Sequence, residues 1–391
     1  MVLCDPEEVG GYDNELSKLV AELNRAAPSQ KQPPPREANT TASLQGLLQK
    51  AVSRNASDVL LIAGAPPMLR ISGNLVAADT RPLDAEDVRT DVLPLLEAWQ
   101  LEDLQKKKTV DLGFVRENLG RFRVNLHYQR GSLAASIRLL PTRVPTLESL
   151  HLPASLGKLA DKRQGLVLVT GPTGCGKSST LAALIDLVNT RRQAHVVTIE
   201  DPIEYQHVNR SAIIEQIEVG RDTPDFAGTL RSLMRQTPDV ILVGEMRDAE
   251  TMATALTAAE TGHLVLSTLH TNDAIQAVAR ILDSFPAANQ PQIRQQISLA
   301  LAAVIAQQLV PGTDNVSRWP ATEIAIATDA VRALIRKGED HQLRSQISVG
   351  RADGMMTMEQ SLAELVRAAR ITRETAEAHC FRTEDLKRYL A

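Results

Sequence analysis

One short run of sequence decides the fold of this chain: Gly171, Pro172, Thr173, Gly174, Cys175, Gly176, Lys177, Ser178 and Ser179. The apolar residues 166–170 precede it and predict a buried strand, while residues 179–188 predict a helix. Glycines between a strand and a helix N-terminus allow successive backbone N–H groups to point at phosphate oxygens. The run therefore predicts a phosphate-binding loop for a nucleoside triphosphate.

Three side chains of this loop have expected roles. Lys177 is expected to contact the β- and γ-phosphates, and the hydroxyl of Ser178 is expected to bind Mg²⁺. Cys175 is interpreted as a small filler rather than as a reactive thiol. The sequence thus predicts a nucleotide and a magnesium ion as the bound groups of this site.

The composition excludes several classes of protein. Cysteines occur only at positions 4, 175 and 380, which excludes a disulfide framework and a four-cysteine zinc site and fits a reducing compartment. A net charge of -4 argues against bulk nucleic-acid binding, because that function usually needs a basic surface. No segment approaches the ~18–20 apolar residues that span a bilayer, and the acidic start of the chain is unlike a signal peptide.

The chain begins with a predicted appendage. Its length of 391 residues predicts about two to three domains, and residues 1–41 are expected to form a flexible, proline-rich extension. Within it, four apolar residues fall at helical spacing: Leu16, Leu19, Val20 and Leu23. Such a short helix either docks on a partner or on the rest of the chain, or stays solvated.

Residues 42–152 predict a first folded domain of the α+β class. An amphipathic helix opens it, and strands are expected at residues 58–62, 67–72, 111–115, 120–129 and 132–139. Arg121 and Arg123 share one face of a strand, and Arg138 lies in the next strand. Taken alone, such arginines are most simply interpreted as a solvated sheet face.

Residues 153–328 predict an α/β domain, because strands and helices alternate there. A parallel sheet is expected, with strands at residues 166–170, 195–199, 240–243, 264–268 and 323–327. Helices are expected at residues 178–190, 225–236, 249–260, 274–282 and 289–308. The remaining residues, 329–391, predict a helical C-terminal region, with a capping box at residues 357–360.

Carboxylates and histidines follow three of the predicted strands. Glu245 comes just after the strand at 240–243, at the Walker B position. The segment 198–204 places three carboxylates after another strand. These lie at the carboxyl ends of the strands, where open α/β sheets bind ligands. His263 and His270 flank the strand at 264–268. An NTPase needs such groups to hold metal, orient water and offset charge.

The order of these motifs closely resembles the secretion ATPase superfamily of type II secretion and type IV pili, and most closely its pilus retraction subgroup. The resemblance covers about residues 43–380 and includes Gly-Arg-Phe-Arg-Val-Asn at 120–125. It implies a RecA-like P-loop NTPase domain after a PAS-like N-terminal domain, in a hexameric ring that hydrolyses ATP. It also implies a cytoplasmic motor, peripheral at the inner face of the membrane, with an inner-membrane platform protein as partner and no nucleic acid.

The resemblance also implies roles for individual residues. Glu204 corresponds to the catalytic glutamate that polarises water, and Glu245 acts through Mg²⁺. The paired histidine motif contributes His263 and His270. The arginines of the N-terminal domain, Arg121, Arg123 and Arg138, are implied to reach the nucleotide held by the next domain, in place of the solvated face considered above.

Two features depart from the retraction subgroup. Leu60 stands where the family often has histidine, and the long N-terminal extension is not a feature of compact retraction ATPases. Pilus assembly or type II secretion therefore remains the alternative function, although many assembly ATPases carry a tetracysteine zinc insert that this chain cannot form. A RecA-like nucleic-acid translocase and a nucleotide-binding ring subunit with little hydrolysis are further alternatives, both less favoured by the sequence.

Overall fold

The computed structural model describes residues 43–71, 73–314 and 316–391. The proline-rich extension and the helix predicted around residues 16–23 lie outside these residues. Residues 48–391 form one compact unit, which contains two β-sheets. The predicted division of this unit at residues 152 and 328 into separate domains stays a prediction.

The first sheet is six-stranded and antiparallel, with the order β3-β2-β1-β6-β5-β4. Its elements are α1 (Leu44–Ser53), β1 (Asp58–Ile62), β2 (Met68–Ile71), β3 (Asn74–Ala77), α2 (Ala85–Val92), α3 (Ala98–Lys107), β4 (Thr109–Arg116), β5 (Gly120–Gln129) and β6 (Ser132–Leu140). Each of the five predicted strands overlaps an observed strand. In β5, Phe122 and Val124 are buried, so Arg121 and Arg123 share the opposite face as predicted.

The second sheet has seven strands in the order β13-β12-β7-β11-β10-β8-β9. These strands are β7 (Gly165–Thr170), β8 (His195–Glu200), β9 (Ile213–Glu218), β10 (Val240–Val243), β11 (Leu264–Leu269), β12 (Leu301–Pro311) and β13 (Arg318–Ile326). All neighbours are parallel except β13, which pairs antiparallel with β12. The mixed α/β class is therefore confirmed. The strand predicted at residues 323–327 overlaps β13, but its antiparallel pairing with β12 was not predicted.

Helices cover both faces of this sheet, and each face has its own cluster of buried apolar side chains. They are α4 (Lys177–Arg191), α5 (Phe226–Leu233), α6 (Ala249–Glu260), α7 (Ala274–Asp283) and α8 (Gln290–Ala300). The C-terminal region is helical, as predicted: α9 (Asp329–Lys337), α10 (Leu343–Val349), α11 (Met358–Arg367), α12 (Arg373–His379) and α13 (Thr383–Leu390). Thr357 and Gln360 form the predicted capping box of α11.

The prediction of one helix over residues 289–308 is wrong. The helix ends at Ala300, and the following eleven residues form β12, whose first seven residues are all buried. Periodicity cannot separate a fully buried strand from a buried helix, and the alanines of this run favour helix by propensity. The tertiary environment decides the outcome, because β12 pairs on both sides, with β7 and β13.

A β-bulge interrupts the pairing of β12 with β7. Leu301 faces Leu166 and Ala303 faces Val167, so Ala302 is one extra residue on β12. Gly165 has a φ of +120°, and a Cβ at this position would lie 3.0 Å from the Cβ of Ala302. Glycine at position 165 therefore accommodates the bulge.

Among the residues that the structure describes, none of the helices is both long enough and apolar enough to cross a lipid bilayer.

Candidate nucleotide site

The predicted phosphate-binding loop lies between β7 and α4, as its sequence requires. Three glycines of this loop, Gly171, Gly174 and Gly176, have φ angles of +139°, +79° and +92°, which L side chains rarely adopt. A Cβ on Gly171 would also lie 2.1 Å from the carbonyl oxygen of Gln307 on β12. The loop conformation therefore depends on glycine for both backbone angle and space.

Lys177 begins α4 and folds back over the loop. Its Nζ donates hydrogen bonds to the carbonyl oxygens of Gly171 at 2.9 Å and Pro172 at 3.0 Å. Burial lowers the pKa of Lys177, and the nearby carboxylates of Glu245 and Glu204 oppose this shift. The ammonium is thus held at the loop and within electrostatic reach of both predicted catalytic carboxylates.

Glu245 follows β10 at the same edge of the sheet, with only 18% of its side chain exposed. It forms an ion pair with Arg247, and its carboxylate lies 3.8 Å from Nε2 of His270, which follows β11. Burial and the nearby charge of Lys177 lower the pKa of His270, although Glu245 opposes this. The structure therefore brings Lys177, Glu245 and His270 together, and it favours the neutral imidazole.

The three carboxylates at and beyond the end of β8 have different environments. Burial raises the pKa of Glu200, against hydrogen bonds to its carboxylate from Thr198 and Gln216. Those bonds measure 2.7 Å from the Thr198 hydroxyl and 3.1 Å from Nε2 of Gln216. Asp201 is exposed, whereas Glu204 is half-buried and contributes to the potential at Lys177. Of the three, Glu204 is the best placed to act on a nucleotide.

The loop that carries Glu204 is fixed by side chains of β9. Glu218 accepts a hydrogen bond from the backbone N–H of Ile203 at 3.1 Å. Gln216 accepts from the backbone of His207 at 3.0 Å and donates to the carbonyl of Tyr205 at 2.9 Å. Sequence reasoning missed β9 because its apolar residues, Ile213, Ile214 and Ile217, do not alternate with polar ones, so no strand period marks it.

A side-chain contact joins the Glu204 loop to the phosphate loop. The phenol oxygen of Tyr205 lies 2.7 Å from the hydroxyl of Ser179 in the first turn of α4. Burial raises the pKa of Tyr205, so its hydroxyl stays neutral and available as a donor at physiological pH. Ser179, predicted to bind the nucleotide, is thereby engaged with the loop of the predicted catalytic glutamate.

Of the three arginines predicted to act on the nucleotide, one extends from the first sheet to the loop that carries Glu204. Arg121 donates to the carbonyl oxygens of Ile203 at 3.0 Å and Glu204 at 3.4 Å. Arg123 and Arg138 instead make ion pairs within their own sheet, with Asp111 at 3.8 Å and Asp58 at 3.0 Å. The structure therefore places only Arg121 at the Glu204 loop, and the roles of Arg123 and Arg138 in catalysis stay predictions.

His263 lies at the other end of β11 from His270. Its Nδ1 is 3.0 Å from the carbonyl oxygen of Ala258, and its own carbonyl accepts from the backbone N–H of Gly165. Gly165 begins β7, whereas the phosphate loop follows the end of that strand. Within one chain, the structure does not bring His263 together with the other predicted residues.

The predicted magnesium ligands are Ser178, exposed on the first turn of α4, and Glu245. Within the described ranges, no group of three or more His, Cys, Asp or Glu side chains could hold a metal ion. This donor set fits Mg²⁺ bound with a nucleotide, because proteins hold that ion with few side chains plus water and phosphate oxygens. The remaining loop residues, Thr173 and Pro172, are exposed beside it.

The comparison with protein families agrees with this geometry. The model of the family described as "Type II/IV secretion system protein" matches residues 117–387. The chain belongs to this family.

Relatives in the type II/IV secretion system protein family match over most of their length. The type IV pilus ATPase PilU of Pseudomonas aeruginosa is 41% identical over 341 residues, which cover 87% of this chain and 89% of PilU. The type IV pilus retraction ATPase PilT of the same organism is 42% identical over 330 residues, covering 84% and 96%. A crystal structure of the pilus retraction motor PilT with bound ADP has a TM-score of 0.83 at 42% identity, covering 88% of this chain and 99% of that chain.

Proposed function

We propose that this protein is a Mg²⁺-dependent ATPase that drives retraction of a type IV pilus, the motor step of twitching motility. One observation carries the enzymatic part of this proposal. Glu204, Glu245 and His270 lie near Lys177 of the phosphate loop, and they come from three other segments of the chain. A charge network that only stabilises the fold does not need a glycine-rich loop with a lysine bound to it. A site for phosphoryl transfer uses both.

In this proposal each residue acts on ATP by position and charge. The backbone N–H groups of the loop and the Lys177 ammonium bind the β- and γ-phosphates, and Glu204 orients or deprotonates the attacking water. Ser178 and Glu245 would hold Mg²⁺ together with the phosphates, and the bound ion would stabilise the negative charge that develops on them. The imidazole of His270, whose Nε2 is 3.8 Å from the Glu245 carboxylate, would offer a neutral polar group beside this carboxylate.

The arginines complete the proposed site by domain movement. Arg121 already donates to the carbonyl oxygens of Ile203 and Glu204, so the first sheet is hydrogen-bonded to the loop of the predicted catalytic glutamate. Movement of the first sheet over the nucleotide would bring guanidinium groups toward the γ-phosphate. Hydrolysis would then be coupled to a change in the position of this sheet, which is the basis of mechanical work.

The assignment to retraction rests on the relatives, since PilT is a retraction ATPase and PilU is a type IV pilus ATPase. We further propose that the chain assembles as a homohexamer in the cytoplasm, peripheral to the inner face of the cytoplasmic membrane. Its partner there is a platform protein of the pilus. Nucleic acid is not proposed as a partner, in keeping with the net charge of -4.

Deletion of the gene, followed by counting of surface pili and a motility assay, tests the retraction assignment. Loss of a retraction motor leaves excess pili and no twitching, whereas loss of an assembly motor leaves no pili. Complementation with the parent gene and with Glu204→Gln separates loss of hydrolysis from loss of the protein. An unpiliated deletion strain would instead assign the chain to pilus assembly, and unchanged pili with a secretion defect would assign it to type II secretion.

A further inference from the structure

A buried glutamine lies directly behind the phosphate loop. Gln307, in β12, is only 3% exposed. Its Nε2 donates to the carbonyl oxygen of Cys175 at 2.7 Å, and its Oε1 accepts from the hydroxyl of Thr180 at 2.9 Å. Cys175 belongs to the phosphate loop and Thr180 to the first turn of α4, so one amide group contacts both parts of the nucleotide cradle.

The direction of the loop explains why this amide matters. A phosphate-binding loop points its N–H groups at the anion, so some of its carbonyl oxygens must point away from it, into the protein. A buried carbonyl without a donor costs roughly 1–3 kcal/mol. Gln307 supplies that donor for Cys175. The opposite orientation of the amide would place its oxygen against the Cys175 carbonyl oxygen, so only one arrangement satisfies both partners.

The backbone of the same residue also shapes the loop. The carbonyl oxygen of Gln307 occupies the space that a Cβ on Gly171 would need, at 2.1 Å. The amide Nε2 of Gln307 lies 3.2 Å from the corresponding position on Gly176. Gln307 therefore packs against the first and the last glycine of the loop, and no other described side chain hydrogen-bonds to the Cys175 carbonyl.

We propose that Gln307 is a positioning residue for ATP: it holds the phosphate loop in its nucleotide-receptive conformation without touching the nucleotide. This inference rests on the proposed function, since it assumes that the loop binds ATP. Loss of the amide should weaken the binding of ATP and ADP alike, because both use the same N–H groups. The turnover of bound ATP should change little, because Glu204 and Glu245 lie on other segments.

A matched pair of variants tests this role. Gln307→Met keeps the size of the side chain and removes both hydrogen bonds. Gln308→Met changes the next residue of β12, whose amide donates to the carbonyl of His379 at 2.8 Å, away from the loop. Binding is measured by titration with fluorescent ribose-labelled ADP, and KM and kcat by steady-state ATPase assays on the full-length protein.

The expected result is a split between binding and turnover. Gln307→Met should weaken labelled-ADP binding and raise KM by about tenfold, the scale of an unpaired buried polar group, with kcat within about threefold of the parent. Gln308→Met should bind like the parent. Parental affinity in Gln307→Met, or an equal loss in Gln308→Met, would overturn the proposal.

A second variant keeps the test decisive if Gln307→Met does not fold. Gln307→Leu also removes both hydrogen bonds, with a different apolar shape, and it adds no group whose protonation could restore the donor to Cys175. It should show the same loss of affinity at neutral pH, and parental affinity would again refute the role. If the parent itself bound no nucleotide, the proposed function would fail rather than this inference.

Discussion

The hydroxyl of Tyr205 lies 2.7 Å from the hydroxyl of Ser179, and this contact joins the loop of the predicted catalytic glutamate to the helix that follows the phosphate loop. Tyr205 directly follows Glu204 in the chain. The distance between Glu204 and the phosphates therefore depends on a hydrogen bond that neither of them makes.

Replacement of Tyr205 by Phe should slow turnover while leaving ATP binding nearly intact. One hydrogen bond of ordinary strength is lost, worth about 0.5–1.5 kcal/mol, so kcat should fall roughly two- to tenfold. KM should stay within about twofold because Lys177 and the loop backbone are unchanged. Tyr128→Phe, at an exposed position of β5, is the matched control and should behave like the parent. A rise in KM without a fall in kcat would place Tyr205 in binding instead.

Replacement of Glu204 by Gln should keep ATP binding and reduce turnover by roughly 10² or more, the scale of a lost general base. Lys177→Ala should instead weaken binding itself. Glu200→Gln is the informative comparison, because the Glu200 carboxylate is already occupied by Thr198 and Gln216. Phosphate-release assays and nucleotide titrations on all three variants decide the assignment. If Glu200→Gln is inactive and Glu204→Gln is not, the catalytic carboxylate is Glu200.

Alanine at Arg121, Arg123 or Arg138 should abolish hydrolysis, by about 10³-fold or more, if each guanidinium meets the γ-phosphate after domain movement. Stability should hardly change for Arg138, whose side chain is 62% exposed and paired with Asp58 at the surface, where ion pairs contribute ~0–1 kcal/mol. ATPase assays with ring size checked by light scattering measure both effects. Parental turnover in all three variants would remove the proposed link between the first sheet and catalysis.

Glu323 should make the protein less stable as the pH rises toward neutrality. It is 2% exposed, and its Oε1 accepts from the backbone N–H of Ala274 at 3.0 Å. Burial raises the pKa of Glu323 from 4.5 to about 7, with Asp273 and Glu359 adding to the shift and Arg344 opposing it. The native state therefore keeps a proton that the unfolded chain releases, and stability is lost as the pH rises from 4.5 through about 7.

Glu323→Gln removes this dependence and keeps an oxygen acceptor for Ala274. Its melting temperature should exceed that of the parent at pH 8, and the two proteins should differ little at the lowest pH at which both fold. The expected gain at pH 8 is on the order of 1–3 kcal/mol. Thermal melts of both proteins between pH 5 and pH 8 provide the check. The same difference in melting temperature at every pH in this range would refute the prediction.

The sequence predicts the residues at the centre of the site far better than the contacts that hold them in place. The phosphate loop, the Walker B glutamate and the carboxylates after β8 are local signals, because each comes directly before or after an apolar strand. The supporting contacts are not local. Gln307 acts from β12 across 132 residues on Cys175, and Arg121 across 82 residues on Ile203. No periodicity in the chain predicts such pairs. Because residues 289–308 were predicted as one helix, Gln307 was not placed in a strand beside the phosphate loop.

The segment of β12 after the bulge at Ala302 makes chain length itself a determinant of nucleotide affinity. After the bulge, the pairing of β12 with β7 is regular from Ala303 to Ala306, which faces Thr170, so alternation alone selects Gln307 for the phosphate loop. Loss of Ala302 would leave this register unchanged. A single residue inserted or deleted between Ala303 and Gln307 would exchange the two faces and point a neighbouring side chain at the loop. Among homologous chains, changes in length should therefore be tolerated at the bulge and excluded from the four residues that follow it.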